Sequence, residues 1–75
     1  MLLLKDRRNL LLKILKEARL AGGLRQLDVA QALYRPQSYV AKIESGVRKI
    51  DFIEVIDFCK VVDLRHEKLL KNSSN

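Results

Sequence analysis

Residues 26–46 read QLDVAQALYRPQSYVAKIESG, and the reading of this run decides the fold. Leu27, Ala30 and Leu33 recur at helical spacing with Val29 beside them, which predicts a short helix from about Gln26 to Leu33. Arg35-Pro36 interrupts it, because the residue before a proline avoids the α region. Proline is well tolerated in the first turn of a helix, where its missing N–H has no partner to lose. A new helix therefore starts at Pro36 and stops at Gly46. Val40 and Ile43 form its inner side; Gln37, Ser38, Tyr39 and Lys42 form its outer side.

Working outward, almost everything reads as helix. The chain has one proline and three glycines, and no stretch alternates with period two. A first helix is predicted from about Asp6 to Ala21, with Leu10, Leu11, Ile14, Leu15 and Ala18 at intervals of three and four and Gly22-Gly23 as its stop. Beyond a loop from Val47 to Ile50, residues 51–62 read DFIEVIDFCKVV. Asp51, Glu54, Asp57 and Lys60 fall three apart, leaving one narrow polar stripe on a fourth helix. A surface helix needs only one apolar face, so one side of this helix should meet the core and another side something else. Asp63 to Leu70 reads as a short fifth helix. Residues 1–5 are expected to be a leader, residues 6–70 one domain, and KNSSN at 71–75 a disordered tail. The fold class is thus all-α, a compact five-helix bundle.

At 75 residues the chain is near the lower limit at which one core is stable without staples. Its single cysteine excludes an intramolecular disulfide and argues against a cysteine-based zinc site. The chain must then bury its apolar residues efficiently, associate, or do both. A reducing, cytoplasmic location is expected. In the opening MLLLKDRRNLLLKIL the apolar residues are broken by Lys5, Asp6, Arg7, Arg8 and Asn9, so it is neither a secretory signal nor a membrane span. The net charge of +6 is uneven: residues 1–49 hold eleven Lys/Arg against four Asp/Glu, or +7, and residues 50–75 four against five, or −1. A basic front and a near-neutral back suit a polyanion-facing surface behind which lies a packing or association surface. No glycine-rich phosphate loop, nucleophile elbow or acid pair appears, so no enzyme is expected. His66 stands alone, without ligand spacing, and neither metal nor cofactor is expected. Cys59 reads as a core or interface residue.

Two short helices joined by a tight break make a helix-turn-helix unit. Such a unit needs a small residue where its helices cross, and Ala30 supplies it at the fifth position from Gln26. It also needs polar side chains on the first turn of its second helix, here Gln37 and Ser38. QLDVAQAL-YRPQSYVAKIESG resembles the Cro/lambda-repressor-like (XRE) family of bacterial and phage DNA-binding domains, over about Leu15 to Leu70. Gln26, Ala30 and the run Gln37-Ser38…Val40…Ile43-Glu44-Ser45-Gly46 carry the resemblance, which implies the lambda-repressor-like bundle. Two positions depart from the family pattern: Tyr34 and Asp63 stand where glycine is usual. A left-handed backbone at Tyr34 costs a non-glycine residue roughly 1 kcal/mol, so either the turn differs or Tyr34 carries the strain.

The Gln37 amide suits adenine N6 and N7 together, a bidentate contact worth about 1–3 kcal/mol of discrimination, and the resemblance implies that it reads bases in the major groove of double-stranded DNA. Ser38, Tyr39 and Lys42 share the exposed edge and are candidates for base contact, with Tyr39 packing flat on the helix as the alternative. Gln26 heads its helix, where free N–H groups favour a phosphate. Arg35, Arg48 and Lys49 are further candidates for phosphate contact, which positions a protein without reading sequence. The resemblance implies a structural ion pair between Arg19 and Glu44, with Arg19 near a phosphate as a further reading.

One recognition helix covers few base pairs, and family members usually bind palindromic sites as two-fold dimers with reading helices about 34 Å apart. Ile53, Phe58, Val61, Val62 and Leu64 are candidates for the homodimer interface, extended by Leu69 and Leu70. The alternative is that the fourth helix is simply central to a small bundle. The function expected is a dimeric repressor or controller. No sensing domain is read in the chain, so control should follow protein concentration. Two alternatives stay open: an antitoxin that binds its operator and a toxin partner, and a helical protein-interaction module without DNA binding.

Overall fold

The computed structural model describes the backbone of residues 4–73 and the side chains of residues 6–65. Among the described residues four helices follow one another: α1 (Leu4–Ala21), α2 (Gln26–Ala32), α3 (Gln37–Ser45) and α4 (Phe52–Ser73). No strand occurs among the described residues, and no helix there is long and apolar enough to cross a membrane. Met1 to Leu3, the last two residues, and the side chains of His66, Leu69 and Leu70 lie outside what is described.

The all-α expectation holds, and the helix count is corrected from five to four. The expected fifth helix is the continuation of α4, which also takes in residues 71–73 of the expected tail. The reason is local. Neither glycine nor proline occurs between Phe52 and Ser73, and Asp63 has no means of ending a helix.

Each helix end has an identifiable cause. α1 closes in a Schellman motif: Leu24 N–H donates to the Arg19 carbonyl at 3.1 Å and Gly23 N–H to that of Leu20 at 3.0 Å, with Gly23 at φ 72°. α2 ends the same way around Tyr34. Arg35 N–H donates to the Ala30 carbonyl at 2.9 Å and Tyr34 N–H to that of Gln31 at 3.1 Å. Tyr34 therefore takes the left-handed conformation, at φ 57°, in place of the family's glycine. Two backbone hydrogen bonds offset the local strain, and the ring, 94 % exposed, meets no steric objection. Pro36 sits just ahead of α3 in extended conformation, and Gly46 ends α3 at φ 82°. α4 opens with a reciprocal capping box: Glu54 N–H donates to Asp51 Oδ1 at 2.8 Å and Asp51 N–H to Glu54 Oε1 at 3.1 Å.

α2 packs on α3, α1 on α3 and α4, and α4 on α2. Leu12, Leu15, Leu24, Val29, Ala30, Val40, Ile43, Phe58 and Val62 are buried. The inward line of α1 runs through Leu12, Leu15 and Arg19, whereas Leu10 and Ile14, expected on the core side, are about half exposed. Phe58 and Val62, expected at the dimer interface, are corrected to core residues, 1 % and 7 % exposed, with nothing left to offer a partner. Val61 is half-buried against the same cluster, while Ile53 and Leu64 remain on the outside. Cys59 faces out with them and is not in the core of a single chain.

Candidate nucleic-acid interface

α3 presents the site because Val40 and Ile43, fully buried, anchor it on α1 and α2. That leaves Gln37, Ser38 and Lys42 exposed on its outer edge. The frame behind them is the Arg19–Glu44 pair. Arg19 Nε donates to Glu44 Oε2 at 2.6 Å and Nη2 to Oε1 at 2.9 Å, while Nη1 donates to the Leu24 carbonyl at 2.8 Å. The two side chains are only 7 % and 3 % exposed. The pair is the bidentate fork that planar guanidinium favours, and it joins α1 to the last turn of α3. Gln26, at the head of α2, donates to Glu44 Oε1 at 3.2 Å, and Gln37 donates to Gln26 Oε1 at 3.1 Å. The leading side chains of both helices therefore lie side by side on one face.

Tyr39, the remaining candidate on this edge, is half-buried and held within the chain. Its hydroxyl donates to Glu54 Oε2 on α4, and its ring is flanked by the guanidinium groups of Arg35 at 5.2 Å and Arg48 at 4.8 Å. Burial and the Glu54 carboxylate push the Tyr39 hydroxyl up to about 12. Arg48, with Tyr39, holds the Glu54 carboxyl well below its ordinary range, at about 2. Arg48 also turns inward: its Nη1 donates to Glu54 Oε1 at 2.8 Å and to the Lys49 carbonyl at 2.9 Å. A phosphate at Arg48 would thus compete with the Glu54 carboxylate that already engages its guanidinium. Lys49 and Arg35 are exposed.

Between α3 and the following loop lies an open groove of about 460 Å³, walled by Arg35, Ser38, Tyr39, Lys42, Val47 and Arg48. A second, about 370 Å³, lies between α1 and the same loop, with Arg7, Arg8 and Lys49 above Leu11 and Ile50. Three side chains with bearing on the site escaped the sequence reading. Arg8 donates to the Gly46 carbonyl at 2.6 Å, securing the end of α3 across 38 residues of separation, for which the sequence has no local signal. Arg7 stands beside Lys49, equally unmarked. Glu54 was legible, since Asp51 and Glu54 have capping-box spacing. No cluster of potential metal ligands occurs among the described residues.

Comparison with known proteins agrees with this geometry. A family model described as helix-turn-helix matches residues 15–69. A solved structure, an XRE-family like protein from Pseudomonas syringae pv. tomato str. DC3000, is 41 % identical and superposes with a TM-score of 0.78, covering 91 % of this chain and 83 % of that one. A search of curated proteins found no match. With a buried frame beneath α3, polar side chains along its outer edge, and these matches over most of its length, the chain belongs to the XRE-type helix-turn-helix family of DNA-binding transcription regulators.

Proposed function

We propose that the protein is a sequence-specific repressor or controller that binds a palindromic operator as a homodimer. The observation that carries this reading is the placement of Gln37. It is exposed at the first position of α3, and its amide is held by Gln26 against a buried ion pair. A pre-positioned amide enters the major groove without the entropy loss of ordering a free side chain. Ser38 and Lys42 lie along the same edge and reach neighbouring bases. Gln26, Arg35 and Lys49 take phosphates, with Arg7 extending the basic track.

Two-fold association is supported by the outer face of α4. Phe52, Ile53 and Leu64 are each about two-thirds or more exposed, and Ile56 and Cys59 lie between them on the same side. A second copy placed there would bury this stripe while leaving α3 outward.

Selection of binding sites from a random duplex library tests the proposal. A consensus with two inverted half-sites is expected, and Gln37→Ala should relax one position in each half. A set of selected sequences without symmetry sinks the dimer reading, and no enrichment at all sinks sequence-specific recognition. Affinity should fall steeply with salt, and Lys49→Ala should reduce that slope by about one.

A further inference from the structure

One chain of hydrogen bonds leaves the interior and ends on the reading edge, and its chemistry has a direction. Glu44 Oε1 accepts from both Arg19 Nη2 and Gln26 Nε2; Gln26 Oε1 then accepts from Gln37 Nε2. A carboxylate paired with a guanidinium only accepts, whereas an amide has one accepting and one donating end. The Glu44 side chain is 3 % exposed, so the solvent has little access to it. The NH2 of Gln26 must therefore face Glu44, which turns its oxygen toward Gln37, and Gln37 must answer with its own NH2. Reversing Gln26 would set oxygen against oxygen at 3.2 Å. Reversing Gln37 alone would do the same at 3.1 Å.

What Gln37 has left to offer a base is its oxygen and one N–H. Adenine presents a donor at N6 and an acceptor at N7, which match that pair; guanine presents acceptors at both O6 and N7, and its O6 meets the Gln37 oxygen. We propose that Glu44 acts as a remote specificity determinant, fixing the polarity of the Gln37 amide through Gln26 and so selecting adenine over guanine. Glu44 is a positioning residue in this scheme, set behind Gln26 and Gln37. The inference rests on the DNA-reading role of Gln37 proposed above.

The test compares affinities for two duplexes that differ only in A·T against G·C at the position that Gln37→Ala relaxes. Gln26→Leu cuts the relay but leaves the Arg19–Glu44 pair, and so the frame of the fold, in place. Glu44→Gln introduces a donor that permits the reversed polarity. The wild-type protein should prefer adenine by about tenfold or more, the range of one bidentate contact. The ratio should shrink severalfold in Gln26→Leu, and in Glu44→Gln if that variant folds. Loss of a phosphate contact at Gln26 weakens both duplexes alike and cancels in the ratio, so a merely structural role predicts no change in it. An unchanged ratio in Gln26→Leu, or a wild-type preference for guanine, overturns the proposal. The two readings fail separately. If Gln37→Ala leaves base preference untouched, the reading role of α3 is wrong; if it abolishes preference while Gln26→Leu keeps it, only the relay is wrong.

Discussion

Replacing Arg19 by methionine, or Glu44 by leucine, should cost about 3–5 kcal/mol in each case, because either change leaves a buried charge without its partner. The structure places both side chains below 10 % exposure, with two short charge-assisted hydrogen bonds between them, far from the solvated pairs worth about 0–1 kcal/mol. The double variant removes both charges together. Its main residual defect is the Leu24 carbonyl, which loses its Arg19 donor, a loss of about 1–3 kcal/mol. The double variant should thus be more stable than either single one, and the sum of the singles should exceed it by several kcal/mol. A 75-residue domain holds only about 4–11 kcal/mol in all, so the single variants are best measured in urea with stabilising sulfate present. Far-UV circular dichroism gives midpoint and slope for the cycle. Additive effects, or single losses under about 1 kcal/mol, would refute the reasoning, since they would mean that the pair behaves as an exposed bridge.

Three other outcomes follow from particular residues. Tyr34→Asn should raise stability by several tenths to about 1 kcal/mol in thermal melts, since asparagine accepts the left-handed conformation at φ 57° more readily; a loss would show that the turn is built differently. The Glu54 carboxyl lies at about 2 when folded, below its ordinary 4.5, so its contribution is present above 4.5 and lost as the pH falls toward 2. Acid denaturation of Glu54→Gln should accordingly be flatter across that window, and an acid limb as steep as in the wild type would discount the Arg48–Glu54 pair. Ile53→Glu should halve the mass in sedimentation at micromolar concentration without unfolding the chain, whereas Phe58→Ala should cost about 3–5 kcal/mol of stability, because only the first side chain is outside the core. An Ile53→Glu variant of unchanged mass would move the association surface elsewhere.

The sequence by itself determined the helical class, the break at Arg35-Pro36, the stops at Gly22-Gly23 and Gly46, and the outward edge of Gln37, Ser38 and Lys42. These depend on dihedral limits and on side-chain spacing within one or two turns, which are local properties. The resemblance to the XRE family also pointed to Arg19 and Glu44, 25 residues apart, a pairing that periodicity does not reveal. The separate fifth helix expected from Asp63 had no local breaker to cause it, and α4 runs straight through that position. What only the tertiary structure decided was which apolar and polar groups meet. On a helix with an almost complete apolar circumference, spacing cannot tell the core side from the outer one, so Phe58 and Val62 were indistinguishable from Ile53 and Leu64 until α1 and α2 covered them. Tyr39 likewise turned toward Glu54 because α4 brings an acceptor to it. The direction of the Gln37 amide belongs to the same class, since it is set by a carboxylate that reaches it only when three helices have packed.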